Sequence, residues 1–584
     1  MRRAVIGVLL MLSMLGPAVT ASAADDRPVV NGDVGKKADE YLSRLEKLGY
    51  SGGALIVRGK DTLLMKSYGM ADRAKKIPLT TDSVYNLGSI TKQFTAAAIL
   101  TLEMQGKLSV KDPVSKYLDG VPADKASMTL HHLLTHSSGL DSDFSPTDYD
   151  PVGREEYVRR ALQSKLLFAP GEGYEYSNAG YSLLAAIVEK LSGQGYEDYL
   201  RQHVFKPAGM METGYKAPAW AAERIAHGYR DGQDWGTIVD RIQPPDAPYW
   251  MLRGNGGLHT TLKDMLAWHR ALDTDAVLPK EVRARYFAPY VAEGPARRSF
   301  YAYGWAVSKS DRGTTVVQHN GGNGVFVAEF VRFPDEDAMI FLTSTNADMK
   351  ATPVVPVMET LLFGGPVTLP PAVITVAPEK LAPLAGRWVL PGGGAIGISI
   401  EGGSLMVRPQ GAEAMAAVVP PPAAQAERYA RLNARTADMS SRAFAGDVTA
   451  LAQALGGTRT VEELRDQQTR LMTDREGRLG KFQRSSVLAT VPRGGEMVQT
   501  IVQVDFEKGS VYNIYIWGPQ RLAGMLAMPQ LPALQFVPTS ETVFTAYSED
   551  IGGAEMKMSF ETVDGVTVLV LPTPSGRVMA KRSK

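Results

Sequence analysis

The stretch Ser89-Ile90-Thr91-Lys92-Gln93-Phe94-Thr95-Ala96-Ala97-Ala98-Ile99-Leu100 is apolar on several faces, which predicts a helix buried over most of its surface. A spacing of three puts Ser89 and Lys92 on one face, a turn apart. A lysine held against a buried hydroxyl is partly desolvated, and desolvation lowers an amine from its reference pKa of ~10.4. Such an amine can take the proton of a serine and turn it into a nucleophile. The start of the helix adds a field that favours an oxyanion, with the Ser89 N–H placed to face it. Taken alone, Ser-x-x-Lys is a short pattern, and a solvent-facing helix can carry it with no chemistry attached.

Working outward, two further stretches carry groups of the complementary kind. Tyr176-Ser177-Asn178 follows Ala169-Pro170-Gly171 and precedes a helical pattern at Leu183, Leu184, Ile187, Val188 and Leu191, closed by Gly193. In extended backbone, residues two apart point the same way, so Tyr176 and Asn178 share a direction. A phenol beside a lysine can shuttle a proton between serine and leaving group, and the Asn178 amide can hold a substrate carbonyl. His319-Asn320-Gly321-Gly322 ends the strand-like Thr314-Thr315-Val316-Val317-Gln318 and precedes Val325-Phe326-Val327. A strand ending in glycines admits a substrate backbone closely and can supply a second oxyanion N–H, from Gly322. Taken alone, the first stretch reads as a buried Tyr with a capping Asn, and the second as a glycine-rich hairpin with a surface His.

Together, in this order and with these separations, the three motifs resemble the serine β-lactamase and penicillin-binding superfamily. The resemblance is to its class C-like branch of DD-peptidases, D-aminopeptidases, esterases and class C β-lactamases. Leu130-His131-His132-Leu133-Leu134-Thr135-His136-Ser137-Ser138-Gly139-Leu140 is similar to that branch's connecting segment. Gly256-Gly257-Leu258-His259-Thr260-Thr261-Leu262-Lys263-Asp264-Met265 is similar to its later helix start. The resemblance spans about residues 35–363. It implies Ser89 as the acylated nucleophile, Lys92 as its base and Tyr176 as the proton shuttle. It further implies Asn178 as a substrate-orienting amide, His319, Asn320 and Gly321 as substrate-binding strand, and the N–H groups of Ser89 and Gly322 as the oxyanion hole. The departure is at His319, where β-lactamases of the branch carry the Lys of Lys-Thr-Gly. A neutral His offers one donor where Lys offers a fixed charge for a substrate carboxylate, which disfavours efficient lactam hydrolysis.

The remainder of the 584 residues fits this frame. Strand-like runs at both ends of residues 35–363, with helical and turn-rich sequence between, predict an α+β domain. Its sheet joins first and last segments, as a β-lactamase/transpeptidase-like antiparallel sheet flanked by helices. Gly364-Gly365-Pro366 and Pro370-Pro371 mark a boundary. Beyond it, short strands at 372–420 and 531–584 read as two parts of one small barrel, similar to the lipocalin-like barrels attached to this branch. Residues 423–530 read as an inserted helix-helix-then-sheet segment, similar to the nuclear-transport-factor-like α+β cone. Thr460 with Glu463 three residues on predicts a capped helix start within it.

Composition excludes several classes. Lys+Arg is 63 and Asp+Glu 62, so no electrostatic case exists for nucleic acid. Cysteine is absent, which removes disulfides, thiol nucleophiles and thiolate metal sites. Arg2 and Arg3, the apolar residues 4–15 and Ala21-Ser22-Ala23 form a secretory leader over residues 1–23, too short to span a bilayer. Its removal would move the formal charge from +1 to −1, and the expected location of the mature chain is the periplasm or the cell exterior. Gly392-Gly393-Gly394-Ala395-Ile396-Gly397 fits a dinucleotide loop but is followed by a strand pattern, so it reads as a hairpin turn. His132 and His136 have zinc-like spacing without the accompanying Glu, and read as a helix terminus. No Gly-x-Ser-x-Gly elbow occurs, which argues against an α/β-hydrolase. The expectation is a metal- and cofactor-free serine hydrolase that forms an acyl-enzyme with a small amide or ester, foremost a D-amino-acid peptide. A carboxylesterase, a β-lactamase on the same site and a non-catalytic penicillin-binding sensor are the alternatives.

Overall fold

The computed structural model describes residues 27–141, 148–216, 218–230, 232–242, 249–294, 298–456, 460–493, 497–519, 521–548, 554–574 and 576–583. The leader read at residues 1–23 lies outside the described residues.

The Gly32–Lys47 helix buries Gly35, Ala38, Tyr41, Leu42 and Leu45, spaced three and four apart, on one face. That face lies on a sheet which, within the described residues, has nine strands. From edge to edge they are Val29–Val30, Asp61–Tyr68, Gly52–Arg58, Ala338–Ser344, Val327–Phe333, Thr315–Gly322, Ala306–Lys309, Phe300–Tyr301 and Val291–Ala292. All neighbours are antiparallel, and Gly52–Arg58 pairs directly with Ala338–Ser344, Ile340 opposite Ile56. The expected joining of first and last segments is therefore present.

Strand alternation gives the sheet two apolar faces. Ala54, Ile56, Leu64, Ile340 and Leu342 pack with the Gly32–Lys47 and Val355–Leu362 helices. Leu55, Val57, Met65, Met339 and Phe341 share the larger core with the Thr91–Met104 and Asn178–Ser192 helices. Residues 91–102 of the former helix are all buried, as its lack of a polar face predicts.

After Leu362 the chain builds a closed barrel of eight strands, sealed where Trp388 and Val389 pair with Arg582 and Lys581. Between its third strand, Ser404–Gln410, and its fourth, Leu534–Pro538, the chain makes the Ala412–Val418, Ala426–Phe444, Thr449–Ala454 and Val461–Leu479 helices and a four-stranded antiparallel meander, residues 482–528. The Thr460 cap is formed, its hydroxyl accepting from the Glu463 N–H at 3.2 Å while Glu463 accepts from the Thr460 N–H at 2.8 Å. Trp388, Phe536, Phe544, Met558, Phe560 and Leu569 fill the barrel core. The barrel docks through Val537, which joins the core around Tyr41 and Leu45, and through a 2.9 Å hydrogen bond between the hydroxyls of Tyr41 and Tyr547. That contact lies on the sheet face opposite the helix that begins beside Ser89.

Candidate active site

A short 3-10 turn, Gly88–Ile90, runs into the Thr91–Met104 helix. Gly88 adopts φ +50, and a Cβ there would come within 2.4 Å of the Gly322 backbone N. A Cβ on Gly321 would come within 2.0 Å of the Leu87 carbonyl O. Only glycine at both positions lets the end of the Thr315–Gly322 strand touch the start of the helix. That contact brings the Gly322 backbone up to Ser89. Ser89 is half-exposed and open to a substrate, whereas Lys92 beneath it is fully buried.

The Lys92 ammonium donates to Ser89 Oγ at 3.2 Å, to Asn178 Oδ1 at 2.7 Å and to the Asn255 carbonyl at 2.8 Å. Its Nζ lies 4.7 Å from the centre of the Tyr176 ring, a contact that favours the cation. Burial outweighs this and holds the Lys92 pKa well below its ordinary value, with Asp148 opposing weakly. The Tyr176 phenol is pushed up, chiefly by burial and less by the charge of Glu293, while its hydrogen bond with Ser89 pulls the other way. Lys92 is therefore readier than an ordinary lysine to act as a base, and Tyr176 is the group that keeps a proton to give.

Asn178 makes a contact with Lys92 that its spacing does not predict. Ser177 caps the Asn178–Ser192 helix, accepting from the Gly180 N–H at 3.3 Å, which frees Asn178 to turn its carbonyl oxygen on Lys92.

His136 belongs to the site, although its motif reads as a mere helix terminus. It follows the short Leu130–Leu134 helix in the left-handed region, φ +58, and is fully buried. Nδ1 accepts from the Ser177 N–H at 2.9 Å, and the ring packs on Tyr176 with centroids 4.2 Å apart. Burial, then the charge of Lys92, hold it neutral. Its family-like setting, His136-Ser137-Ser138-Gly139, was the available signal; its partners, forty residues on, were not readable from spacing.

The His319 motif needs two corrections. His319 is buried, its Nδ1 donating to the Asn320 carbonyl at 2.5 Å and its Nε2 accepting from the Tyr301 hydroxyl at 2.8 Å. A carbonyl only accepts, so this pairing fixes the neutral tautomer, and the one donor expected to meet a substrate is already engaged. Burial, then Lys92, push its pKa down to about 3. Asn320 pairs with Glu329, whose neighbours Val331 and Phe333 face the Gly32–Lys47 helix. The exposed Asn320 side chain thus stands on the face away from Ser89, and only its backbone can serve a substrate.

One group among the described residues, His269, Asp273 and Asp337, has atoms close enough to hold a cation. Arg332 already occupies it, donating to His269 Nδ1 at 3.1 Å and to both Asp273 oxygens at 2.7 Å. The arrangement is an ion-pair network, remote in sequence and in bonding from Ser89.

A half-exposed serine, a buried depressed lysine and a protonated tyrosine define a serine hydrolase that works without a histidine base. Comparison with known proteins gives the family: the beta-lactamase family model matches residues 38–354, and the chain belongs to that family. Penicillin-binding protein 4* of Bacillus subtilis (strain 168) is 31% identical over 341 residues, 56% of this chain and 75% of the relative. Esterase EstB of Burkholderia gladioli is 33% identical over 199 residues, 31% of this chain and 50% of the esterase. The octameric penicillin-binding protein homologue from Pyrococcus abyssi has the same fold over 94% of this chain and 100% of its own, with a TM-score of 0.52 and 19% identity.

Proposed function

We propose that this chain is a periplasmic or secreted hydrolase of amides and esters of D-amino acids, in the manner of a D-aminopeptidase or DD-peptidase. The observation that carries the reading is Lys92 Nζ at 3.2 Å from Ser89 Oγ, inside a site that holds the amine below its ordinary pKa. Ser89 Oγ bonds to the substrate carbonyl carbon as its proton passes to Lys92. The oxyanion rests against the N–H groups of Ser89 and Gly322. Collapse breaks the C–N or C–O bond, and the proton reaches the departing atom through Tyr176. Water then attacks the Ser89 ester, releasing a carboxylic acid and restoring the serine hydroxyl. The leader pattern at residues 1–23 supports export.

The neutral, engaged His319 favours a second reading within the same chemistry, a carboxylesterase, which the likeness to a Burkholderia gladioli esterase also supports. A fluorophosphonate probe tests the shared core: rapid labelling of the purified chain is expected, and none in Ser89→Ala. A panel of D-alanyl amides, D-Ala-D-Ala peptides, short acyl esters and a chromogenic cephalosporin then ranks the substrates. A wild type that takes no label, or whose label survives Ser89→Ala, returns the chain to the class of binding proteins.

A further inference from the structure

The side of the site toward which Tyr176 delivers its proton is walled by Tyr174, Tyr301 and His319. Their rings pack around Tyr176 and His136, with Tyr301 centred 6.2 Å from Tyr176 and 6.0 Å from Tyr174. Nothing in that wall is positively charged. His319 is neutral and spends both ring nitrogens on Tyr301 and the Asn320 carbonyl. The positive charge that reaches it is that of Lys92, felt at His319, and it vanishes when Lys92 acts as the neutral base; the charge that remains is negative. Glu293, just past the edge strand Val291–Ala292, accepts from the Tyr174 hydroxyl at 3.2 Å, and its field raises the Tyr176 phenol. Among the described residues Glu293 makes no ion pair that would cancel it. The other carboxylate whose field reaches the catalytic pair is Asp148, acting on Lys92. A described cation near this strand, Arg230, binds the Gly324 carbonyl at 3.0 Å, beyond the oxyanion glycine.

We infer that Glu293 makes the leaving-group side of this site select by charge: it takes acyl substrates whose departing group is neutral or cationic and rejects those whose departing group carries a carboxylate. The departing atom must come within hydrogen-bond reach of Tyr176, so a charged substituent on it comes close to Glu293 across a wall of low polarity. A carboxylate there meets a like charge and, among the described residues that wall this side, no donor of opposite charge; an ammonium meets a counter-ion. This rests on the acyl-enzyme reading above and narrows it, from peptides ending in a free D-amino acid to D-aminoacyl amides, amines and esters. Glu293 acts on specificity; it takes no proton in the reaction.

The test uses three phenyl acetates bearing a para carboxylate, carboxamide or trimethylammonium group, with kcat/KM measured for the full chain and for Glu293→Gln. The charged-to-neutral ratios within each protein, compared between the two proteins, cancel the esters' intrinsic reactivities. We expect Glu293→Gln to raise the carboxylate ratio roughly three- to tenfold and to lower the ammonium ratio by a similar factor, the reach of a half-exposed charge. Both changes should shrink in 0.5 M salt, roughly as screening requires. Ratios that are the same in both proteins would overturn the inference, as would a wild type that prefers the carboxylate ester. D-alanyl-glycinamide and D-alanyl-glycine are run alongside. Turnover of the aryl esters with the expected ratios but of neither D-alanyl compound defeats the D-amino-acid reading and leaves the charge selection standing. No turnover of any compound defeats both.

Discussion

The ring of His136 lies against the ring of Tyr176 with centroids 4.2 Å apart and planes inclined by 37°, while its Nδ1 accepts the N–H of Ser177, the next residue in the chain. One side chain thus fixes both the phenol and the backbone that carries it. It does so as a neutral ring, because full burial and the nearby Lys92 keep its pKa low. An imidazole in this place positions Tyr176 and has no contact of its own with a reacting atom.

His136→Phe preserves the stacking area but leaves the Ser177 N–H buried without an acceptor. An orphaned buried donor costs about 1–3 kcal/mol, so the variant should melt several degrees lower. Freed from its anchor, Tyr176 should give a kcat reduced about tenfold with KM little changed. His136→Asn, which can still accept from Ser177, should recover stability before activity. Equal kcat in all three proteins would show that the contact does not matter to Tyr176.

Ser89 and Lys92 act on one proton. Each alanine substitution should lower kcat by about three orders of magnitude, and the double variant should be little worse than either single. The wild-type kcat/KM should rise with pH as Lys92 loses its proton, at a pH well below the ordinary lysine value. No inflection from His319 should appear between about pH 5 and 9, because its pKa is pushed down to about 3. Losses that add in the double variant would remove Lys92 from the role of base.

What could be read from the sequence, and what could not, divides by the range of the contacts. Ser89 and Lys92 are one helical turn apart, so spacing alone pairs them. The burial of Thr91–Met104 follows from its lack of a polar face, and the sheet's closure follows from strands at both ends of the domain. The place of His136 in the site is not legible in the sequence, because its partners, Tyr176, Ser177 and Tyr301, arrive from distant segments and its spacing to His132 reads as a helix terminus. For Asn178 the pattern predicts extended backbone aimed alongside Tyr176; in the folded chain it opens a helix and contacts Lys92. The motif groups Asn320 with its neighbours, yet strand alternation sends its side chain to the other face, a parity that needs the register with Val327–Phe333 to establish.

Glu329 stands directly across from Asn320 on that register, buried, with the Thr352 hydroxyl donating to it at 2.5 Å. Burial pushes its pKa up to about 7, from an ordinary value of 4.5. A raised carboxyl binds its proton more tightly in the folded than in the unfolded chain. Stability is therefore greatest below the unfolded value and falls as pH rises between about 4.5 and 7, by about 3 kcal/mol in all. Glu329→Gln removes the charge and keeps an acceptor for Thr352. Its melting temperature should exceed that of the wild type at pH 8 and approach it at pH 5. A difference that is constant over this range would place the titration elsewhere.

The barrel is attached on the side of the sheet away from Ser89. Val537 and Tyr547 meet the Gly32–Lys47 helix, on the sheet face opposite the site, and every group bonded to Lys92 precedes residue 363. Residues 367–373 belong with the first domain: Val367, Leu369 and Val373 pack on its core, and Arg44 donates to the Pro370 carbonyl at 2.9 Å. The Ile374 N–H already bonds to Pro538 of the barrel. A chain ending at Val373 should therefore fold and still take a fluorophosphonate at Ser89. It loses the burial of Val537 and the Tyr41–Tyr547 hydrogen bond, together worth about 2–4 kcal/mol, so its melting temperature should fall while its labelling rate stays within about twofold of the full chain. A truncated chain that melts cooperatively but takes no label would mean that the barrel shapes the site through the sheet, by a route other than direct contact.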